Sequence, residues 1–172
     1  AAGLSGPRRQ AVGSVRDFVL GAVLMDGRGE VLHFGGQVMK NVAGYDVSRL
    51  LTGSLGTLGL LCEISIKVLP RPTAQHTVQF ALSESEALKQ LNLWAGQPLP
   101  ISGSAWYQGR LTVRLSGARA AVDAAITSMG GDAVADADSF WDAVREHTHE
   151  FFNDAPKGLW RLSLPTDRKS TR

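Results

Sequence analysis

Two prolines, Pro70 and Pro72, divide the chain into segments whose hydrophobic patterns predict different structures. Proline has no backbone N–H and disfavours continuation of a helix or a central strand, so we place a linker at 71–75. Glycine is dense before the linker and helical periodicity is nearly absent there, whereas amphipathic helices alternate with strands after it. The chain of 172 residues therefore predicts two small domains, at 1–70 and 76–165, followed by a polar tail at 166–172.

The first segment predicts a β-hairpin and a third strand. Apolar residues run continuously over 18–25, and a shorter strand is expected over 30–34. The turn between them, Asp26-Gly27-Arg28-Gly29, contains glycines that tolerate positive φ. We expect the first strand of this hairpin to be buried on both faces. The third strand, over 60–69, alternates, and one of its faces carries Ile64, Ile66 and Val68.

The second segment predicts the order β-α-β-β-α-β of a ferredoxin-like split βαβ unit, with one extra helix. Ser83 and Glu86 form a capping box that begins the first helix. A second helix is expected over 118–129, where apolar residues recur at helical spacing, and Gly130-Gly131 ends it. The first helix is expected to bury Ala87, Leu88, Leu91 and Trp94. The predicted strands are 76–82, 104–108, 110–116, 133–135 and 159–164.

Charge and cysteine content argue against several classes of function. The formal net charge is only +2, and the tail residues Arg168, Lys169 and Arg172 carry part of the excess, so no nucleic-acid partner is indicated. No apolar run approaches the about 20 residues of a transmembrane helix. The single cysteine, Cys62, rules out an internal disulfide framework, and its apolar strand predicts a small structural hydrophobe rather than a reactive thiol. A soluble cytoplasmic protein is expected.

Two stretches of small residues are candidate ligand contacts. The first, Gly53-Ser54-Leu55-Gly56-Thr57-Leu58-Gly59, leads into a strand, whereas a Rossmann or P-loop motif would open a helix. It is either a loop whose backbone N–H groups approach a ligand or a plain structural loop. The second, Ala2-Gly3-Leu4-Ser5-Gly6, is either a surface of close approach for phosphates or a flat cofactor, or a flexible end.

Two charged residues between these stretches have alternative interpretations. Lys40 either pairs with an anionic substrate or cofactor or is a solvated charge. Asp46 is a good N-cap for a helix over 47–51. No Ser/His/Asp grouping and no pair of carboxylates stands out in the chain, so the residues by themselves assign no catalytic site.

The extra helix carries two of the four histidines. Asp138 or Ser139 is expected to cap it. His147 and His149 lie two positions apart and would point to opposite sides of a helix, which argues against a shared metal ion. We interpret both as solvated helix surface.

Four segments of the first domain together resemble the FAD-binding domain of flavoproteins of the vanillyl-alcohol-oxidase (PCMH) type. The first is Gly13-Ser14-Val15-Arg16-Asp17-Phe18-Val19-Leu20-Gly21, and the second is the Asp-Gly turn after it. Lys40-Asn41-Val42-Ala43-Gly44-Tyr45-Asp46-Val47 is similar to the family motif Lys-x-x-x-Gly-Tyr-Asp-Leu. The stretch 53–63 resembles the family's Gly-Ser-Glu-Gly-Thr-Leu-Gly-Ile-Ile-Thr-Glu, with Leu55 in place of Glu and Cys62 in place of Thr.

The resemblance implies an α+β fold in which the second lobe of a bipartite FAD-binding domain, at 1–70, precedes a truncated ferredoxin-like α/β cap domain. It implies FAD as the cofactor and no metal. Carried over residue by residue, the contacts to the flavin or its diphosphate are Ala2, Gly3, Ser5 and Gly6. The contacts near the adenosine half are Gly13, Ser14, Asp17 and Val19. Backbone contacts to the cofactor come from Gly56, Thr57, Gly59 and Leu60, since a diphosphate favours clustered N–H donors and small side chains.

The activity implied by the resemblance is oxidation of a small 2-hydroxy acid, glycolate to glyoxylate, with hydride passing to the flavin. The implied partners are a sister flavoprotein subunit and an iron–sulfur subunit that receives the electrons. No catalytic residue is assigned to this chain. A non-catalytic interaction subunit that keeps the FAD fold is one alternative, and a small-molecule sensor built on 73–165 is another. The expected location is cytoplasmic, with any membrane attachment made through the complex.

Both ends of the sequence predict a piece of a longer chain. It begins within a small-residue motif without an initiator Met, and polar residues follow Leu164-Pro165 without a terminating element. The N-terminal lobe of the FAD domain would then be missing. We expect the apolar face that packs on that lobe to be exposed and to cause self-association.

Overall fold

The computed structural model describes residues 2–36, 44–153, 158–160 and 162. The chain separates into two compact units, Ala1–Arg71 and Pro72–Arg172. The linker predicted at 71–75 is shorter than expected, because Ala74 and Gln75 already belong to a strand and pair with Gly117 and Ser116. Within the described residues, no helix is long and apolar enough to cross a membrane.

The first unit is built on a three-stranded antiparallel sheet in the order β2-β1-β3. Its strands are Val19–Met25 (β1), Val31–Gly35 (β2) and Leu60–Ile66 (β3). The predicted hairpin of β1 and β2 is confirmed. Asp26 holds its turn, since the Asp26 Oδ1 atom accepts hydrogen bonds from the backbone N–H groups of Arg28, at 2.8 Å, and Glu30, at 3.0 Å. Strand β3 ends at Ile66 rather than at residue 69.

Three short helical segments accompany this sheet: Arg9–Val12 (α1), the 3-10 helix Val15–Phe18 and Val47–Leu50 (α2). The predicted N-cap of α2 is confirmed, because the Asp46 Oδ1 atom accepts a hydrogen bond from the Arg49 backbone N–H at 3.2 Å. The helix brings Leu51 into the small core of the unit, against Ala22 and Leu24.

The second unit has the predicted βαββαβ order and an α+β fold. Its elements are Ala74–Ala81 (β4), Glu84–Ala95 (α3), Ile101–Tyr107 (β5), Arg110–Gly117 (β6), Arg119–Met129 (α4) and Asp132–Ala133 (β7). The strands form an antiparallel sheet in the order β5-β6-β4-β7. This order places the first and third strands of the motif, β4 and β6, at the centre, as in the ferredoxin-like arrangement.

The main core lies between this sheet and helices α3 and α4. It is centred on Leu111, Val113 and Leu115 of β6, whose side chains are fully buried. The capping box of α3 is confirmed by hydrogen bonds from the Ser83 backbone and hydroxyl to Glu86 Oε2, at 2.9 and 2.6 Å. These bonds stabilise the carboxylate and lower the pKa of Glu86.

One expected core position of the first helix is wrong. Leu88 is 55% exposed, while Ala87 and Trp94 are buried and Leu91 is partly buried. Ala87, Leu91 and Trp94 face the sheet, and Leu88 lies outside this contact. In α4, Val122 and Ala125 are buried, in agreement with the helical spacing expected over 118–129.

The region after β7 differs most from the sequence-based expectation. The extra helix is Ala137–Glu146 (α5), and its cap is Asp136, not Asp138 or Ser139, since Asp136 Oδ1 accepts from the Ser139 backbone N–H at 3.4 Å. A short helix, Glu150–Asn153 (α6), follows. The strand predicted at 159–164 is absent at the described residues 159, 160 and 162. Strand β7 pairs with β4 at this edge of the sheet. It covers Asp132–Ala133 and is shorter than the predicted strand at 133–135.

We predict that the purified chain self-associates through the exposed apolar residues of β3. Leu60, Ile64 and Ile66 are 65%, 47% and 61% exposed. Among the described strands, β3 lies at one edge of the sheet. An apolar edge strand favours association with another copy. Light scattering should report species larger than a monomer, and the double substitution Ile64→Thr/Ile66→Thr should shift them toward the monomer. Leu93→Thr, at an exposed leucine of α3, is the control; a monodisperse wild-type monomer would contradict the prediction.

Candidate functional site

Three of the segments singled out in the sequence meet within the first unit. The Ser5 hydroxyl oxygen accepts a hydrogen bond from the Val15 backbone N–H at 2.9 Å, which joins segment 2–6 to segment 13–19. On its other side, segment 2–6 touches the start of the glycine loop, since a Cβ atom added to Gly3 would lie 3.0 Å from the Gly53 backbone nitrogen. Residues that were candidates for one cofactor are therefore neighbours, with segment 2–6 between the other two.

Segment 13–19 is shaped by the Asp17 carboxylate. Its Oδ2 atom accepts hydrogen bonds from the Ser14 backbone N–H and from the Ser14 hydroxyl, both at 2.8 Å. These bonds lower the pKa of Asp17, and the bond from the Ser14 side chain contributes most. Gly13, at φ +97°, leaves room for the carboxylate, because a Cβ atom there would lie 3.0 Å from Oδ2. Asp17 thus fixes the local backbone, and Val19 is buried as the first residue of β1.

The glycine loop contains two kinds of glycine. Gly59 is needed for packing, because a Cβ atom there would lie 2.5 Å from the Met25 carbonyl oxygen of β1. Gly56, at φ +83°, faces open space, with no atom within 4 Å of an added Cβ. The Thr57 hydroxyl donates to the Ser54 carbonyl oxygen at 2.7 Å and thereby closes a turn over residues 54–57. Gly59 therefore has a structural role, whereas a ligand contact at Gly56 stays a prediction.

A small apolar cavity of about 130 Å³ lies beside these segments. It is below the about 300–1,000 Å³ of a complete small-molecule site. Arg49, which lies between the lining residues Ser48 and Leu51 in the sequence, is paired with Asp46 through an Nε–Oδ2 distance of 3.1 Å. The cavity is lined by Gly3, Val15, Val19, Ala22, Ser48, Leu51, Thr52, Leu61, Ile64 and Ile66.

The remaining candidates do not join this group. Lys40 and the rest of 37–43 fall outside the described residues. Cys62, interpreted as a small structural hydrophobe, is exposed on β3. His147 and His149 lie beyond the end of α5 and not on its surface, because His147 adopts φ +59° and ends the helix. His149 is half-buried, and no group of three or more metal-ligating side chains occurs in the described parts of the chain.

The sequence reasoning missed a larger pocket in the second unit, with a volume of about 550 Å³. Its residues come from β4, β5, β6, α5 and α6, so no single stretch of sequence contains the pattern. The signal that could have indicated it is the alternation of β6, where Arg110, Thr112 and Arg114 form a polar face opposite the core residues.

Comparisons with known proteins define a class of similar proteins. The chain is 39% identical over 66 residues to the uncharacterized FAD-linked oxidoreductase Rv2280 of Mycobacterium tuberculosis, over 38% of this chain and 14% of that protein. It is 36% identical over 85 residues to glycolate oxidase subunit GlcD of Bacillus subtilis, over 49% of this chain and 18% of GlcD. The resemblance to FAD-dependent oxidoreductases is thereby confirmed.

A similarity that covers nearly the whole chain is to glycolate oxidase subunit GlcE of Escherichia coli. The two sequences are 52% identical over 167 residues, which is 97% of this chain and 47% of GlcE. The chain thus spans about half the length of this relative. No protein-family model matches the chain.

We predict that alanine destabilises the protein more at Gly59 than at Gly56. Both glycines have positive φ, which costs an L-residue about 1–2 kcal/mol. Only at Gly59 does the new methyl group meet backbone atoms, which adds an overpacking cost of about 1–3 kcal/mol. Urea denaturation should therefore give a lower free energy of unfolding for Gly59→Ala than for Gly56→Ala. Equal losses would show that Gly59 is not held against β1.

We predict that Asp17→Ala lowers stability at neutral pH and loses this effect in acid. The pKa of Asp17 is lowered in the folded protein, so its stabilising contribution is present above the unfolded-state pKa and disappears as the pH falls through the folded-state value. Thermal denaturation at a series of pH values should show the wild-type and variant curves converging at low pH. Asp123→Ala, at an exposed position of α4, controls for the general effect of acid; a pH-independent difference for Asp17→Ala would argue against the ionised cap.

Proposed function

We propose that this chain is part of an FAD-binding subunit of a glycolate oxidase that oxidises glycolate to glyoxylate. The similarity to E. coli GlcE over 97% of the chain carries the proposal. The FAD-linked relative Rv2280 supports the choice of cofactor. FAD, when bound, would supply the two-electron acceptor for the 2-hydroxy acid. A cytoplasmic location belongs to the proposal, since a single cysteine provides no disulfide framework of the kind that secreted domains use.

The described residues of the first unit would form one part of an FAD-binding site. Gly56 has positive φ and open space at its Cβ position, so a ligand could approach the backbone closely there. Backbone N–H groups presented in this way bind phosphates. The residues that would hold FAD in the proposal are Ala2, Gly3, Ser5, Gly6, Gly13, Ser14, Asp17, Val19, Gly56, Thr57, Gly59 and Leu60. Among them, Ser5 and Asp17 would act by positioning the backbone, because their side-chain oxygens accept hydrogen bonds from Val15 and Ser14.

The proposed partners are a sister flavoprotein subunit and an iron–sulfur subunit that receives the electrons. The word subunit in the names of GlcE and GlcD supports a multi-subunit assembly. The second candidate function is a non-catalytic subunit that keeps the FAD fold and docks a catalytic flavoprotein. The exposed apolar side chains of β3 favour it, since a large exposed apolar surface commonly marks an interface.

We predict that Gly56→Ala weakens FAD binding while Gly29→Ala does not. The two glycines form a matched pair: their φ angles are +83° and +81°, and an added Cβ meets no atom within 4 Å at either. Alanine therefore costs similar strain at both, but only Gly56 belongs to the proposed site. Loss of one backbone contact should raise the Kd for FAD by about tenfold. The measurement is the visible absorbance change on adding FAD, made on this chain and on a version extended to the full length of GlcE.

Three outcomes of that titration separate the hypotheses. Flavin binding that is weakened by Gly56→Ala alone supports the FAD site. Bound flavin that glycolate fails to reduce in the assembled complex favours the non-catalytic docking function. If the extended protein stays colourless while remaining folded, the FAD-binding proposal is wrong.

A further inference from the structure

The second unit contains a pocket of about 550 Å³ on the face of its sheet that the main core does not use. Side chains alternate along β6, so Leu111 and Val113 point into the core while Arg110 and Thr112 point to the other face. The pocket volume lies within the about 300–1,000 Å³ range of small-molecule sites. All of its lining residues belong to the second unit, so it forms without any residue of the proposed FAD site.

The floor of the pocket is a chain of hydrogen bonds that holds one arginine in place. The Arg110 Nη1 atom donates to the Gln79 Oε1 atom at 3.2 Å, and the Gln79 Nε2 atom donates to the Thr112 hydroxyl at 3.0 Å. Thr112 is buried and fixes the far end of this chain. Among the described residues, no carboxylate forms an ion pair with Arg110. Its guanidinium keeps N–H donors in the planar fork that matches a carboxylate.

The walls of the pocket are aromatic rings that orient one another. The ring centroid of Tyr107 lies 5.3 Å from that of His149 and 5.8 Å from that of Phe151. The ring centroids of Phe140 and His149 are also 5.3 Å apart. All three pairs are close to perpendicular, which is the favoured edge-to-face geometry. The backbone N–H of Phe151 also donates to His149 Nδ1 at 3.2 Å. A flat ring entering the pocket would meet preformed aromatic surfaces.

The position of helix α5, and therefore of this wall, is fixed by contacts around the next arginine of β6. The Cζ atom of the buried Arg114 guanidinium lies 4.6 Å from the centroid of the Trp141 ring. The Arg114 Nε atom donates to the Ser102 hydroxyl oxygen at 3.1 Å. The Trp141 Nε1 atom donates to the Thr77 hydroxyl of β4 at 3.0 Å. Two arginines on one sheet face thus have different surroundings, since Trp141 covers Arg114 and the pocket opens over Arg110.

We propose that this pocket binds a small planar aromatic monocarboxylate, with its ring between the aromatic walls and its carboxylate on Arg110. The aromatic rings supply apolar contact area, and the guanidinium supplies charge-assisted hydrogen bonds. Glu150 also lines the pocket and carries the opposite charge. A single carboxylate directed at Arg110 is therefore favoured over a dianion, which would place negative charge near Glu150.

The test is a titration of the full chain with 2-naphthoate, followed by tryptophan fluorescence or calorimetry. Arg110→Gln should raise the Kd about five- to tenfold through loss of the charged partner. Glu150→Gln should lower it about two- to threefold, because a repelling charge is removed. Arg110 is exposed, so its substitution leaves the fold intact, which circular dichroism checks. Arg119→Gln, at the exposed first residue of α4, is the matched control and should leave the Kd unchanged.

Two further measurements identify which part of the ligand is recognised. The neutral analogue 2-naphthalenemethanol should bind more weakly to the wild-type chain and equally to wild type and Arg110→Gln. Ala105→Leu, which fills the pocket from β5, should weaken 2-naphthoate binding. Naphthoate held by the exposed apolar residues of β3 would respond to neither Arg110→Gln nor Ala105→Leu.

The proposal is overturned if the folded chain does not bind 2-naphthoate, or if binding is insensitive to Arg110→Gln. It is also overturned if the two charge substitutions act in the reverse directions, since the pocket would then select a cation. The titration uses no flavin and the flavin titration uses no naphthoate. The two experiments therefore test the two proposals independently, and a negative result in one does not bear on the other.

Discussion

The alternation of strand β6 determines both the core of the second unit and the chemistry of its open face. Leu111, Val113 and Leu115 are fully buried and form the centre of the core against α3 and α4. The residues between them are polar and point the other way, where Arg114 and Thr112 are buried by α5 and by their neighbours. A shift of one residue in the pairing of β6 with β4 would exchange these two sets. The same register therefore specifies the fold and provides the arginine of the pocket.

The first unit depends on close backbone contacts more than on a large core. Among the described residues, its core cluster contains Ala22, Leu24 and Leu51 as buried residues, with a few partly buried neighbours. Glycine allows the compensating contacts, as Gly59 does by bringing its loop against the Met25 carbonyl oxygen. Because burial of apolar area is the main favourable term in folding, a unit with so small a core gains substantially from any surface that covers β3.

Features that depend on neighbours in the sequence could be predicted from it. The capping box of Ser83 and Glu86, the Asp46 cap and the turn of the first hairpin each involve residues within a few positions of one another. The first three strands and the two main helices of the second unit could also be predicted, because alternation and helical spacing are both regular there. The assignment of Asp136 rather than Asp138 was missed, since several candidate caps occur in a row and only the backbone path selects one.

Features that depend on long-range packing could not be predicted in the same way. His149 looked like solvated helix surface because the helix was expected to continue, whereas it ends at a left-handed His147 that turns the chain toward Tyr107. The pocket is missing from any local pattern for the same reason, as Arg110 and Phe140 become neighbours only through the fold. In the first unit, the resemblance assigned cofactor contacts to three segments, but the bond between Ser5 and Val15 that joins two of them has no sequence signature.

The way polar side chains are used in the first unit bears on how the proposed site would recognise FAD. Asp17 and Ser5 accept hydrogen bonds from the backbone, and Arg49 is paired with Asp46, so these groups fix local geometry. In the proposed site, a diphosphate would then be approached mainly by the backbone around Gly56, since the N–H groups of Gly13 and Gly59 already donate to the Arg9 and Gly56 carbonyl oxygens. Donors of this kind are preorganised and carry no net charge, whereas lysine and arginine side chains act through screened charge. The positive φ of Gly56 by itself favours glycine, and the open space beside it would let the proposed cofactor approach the backbone.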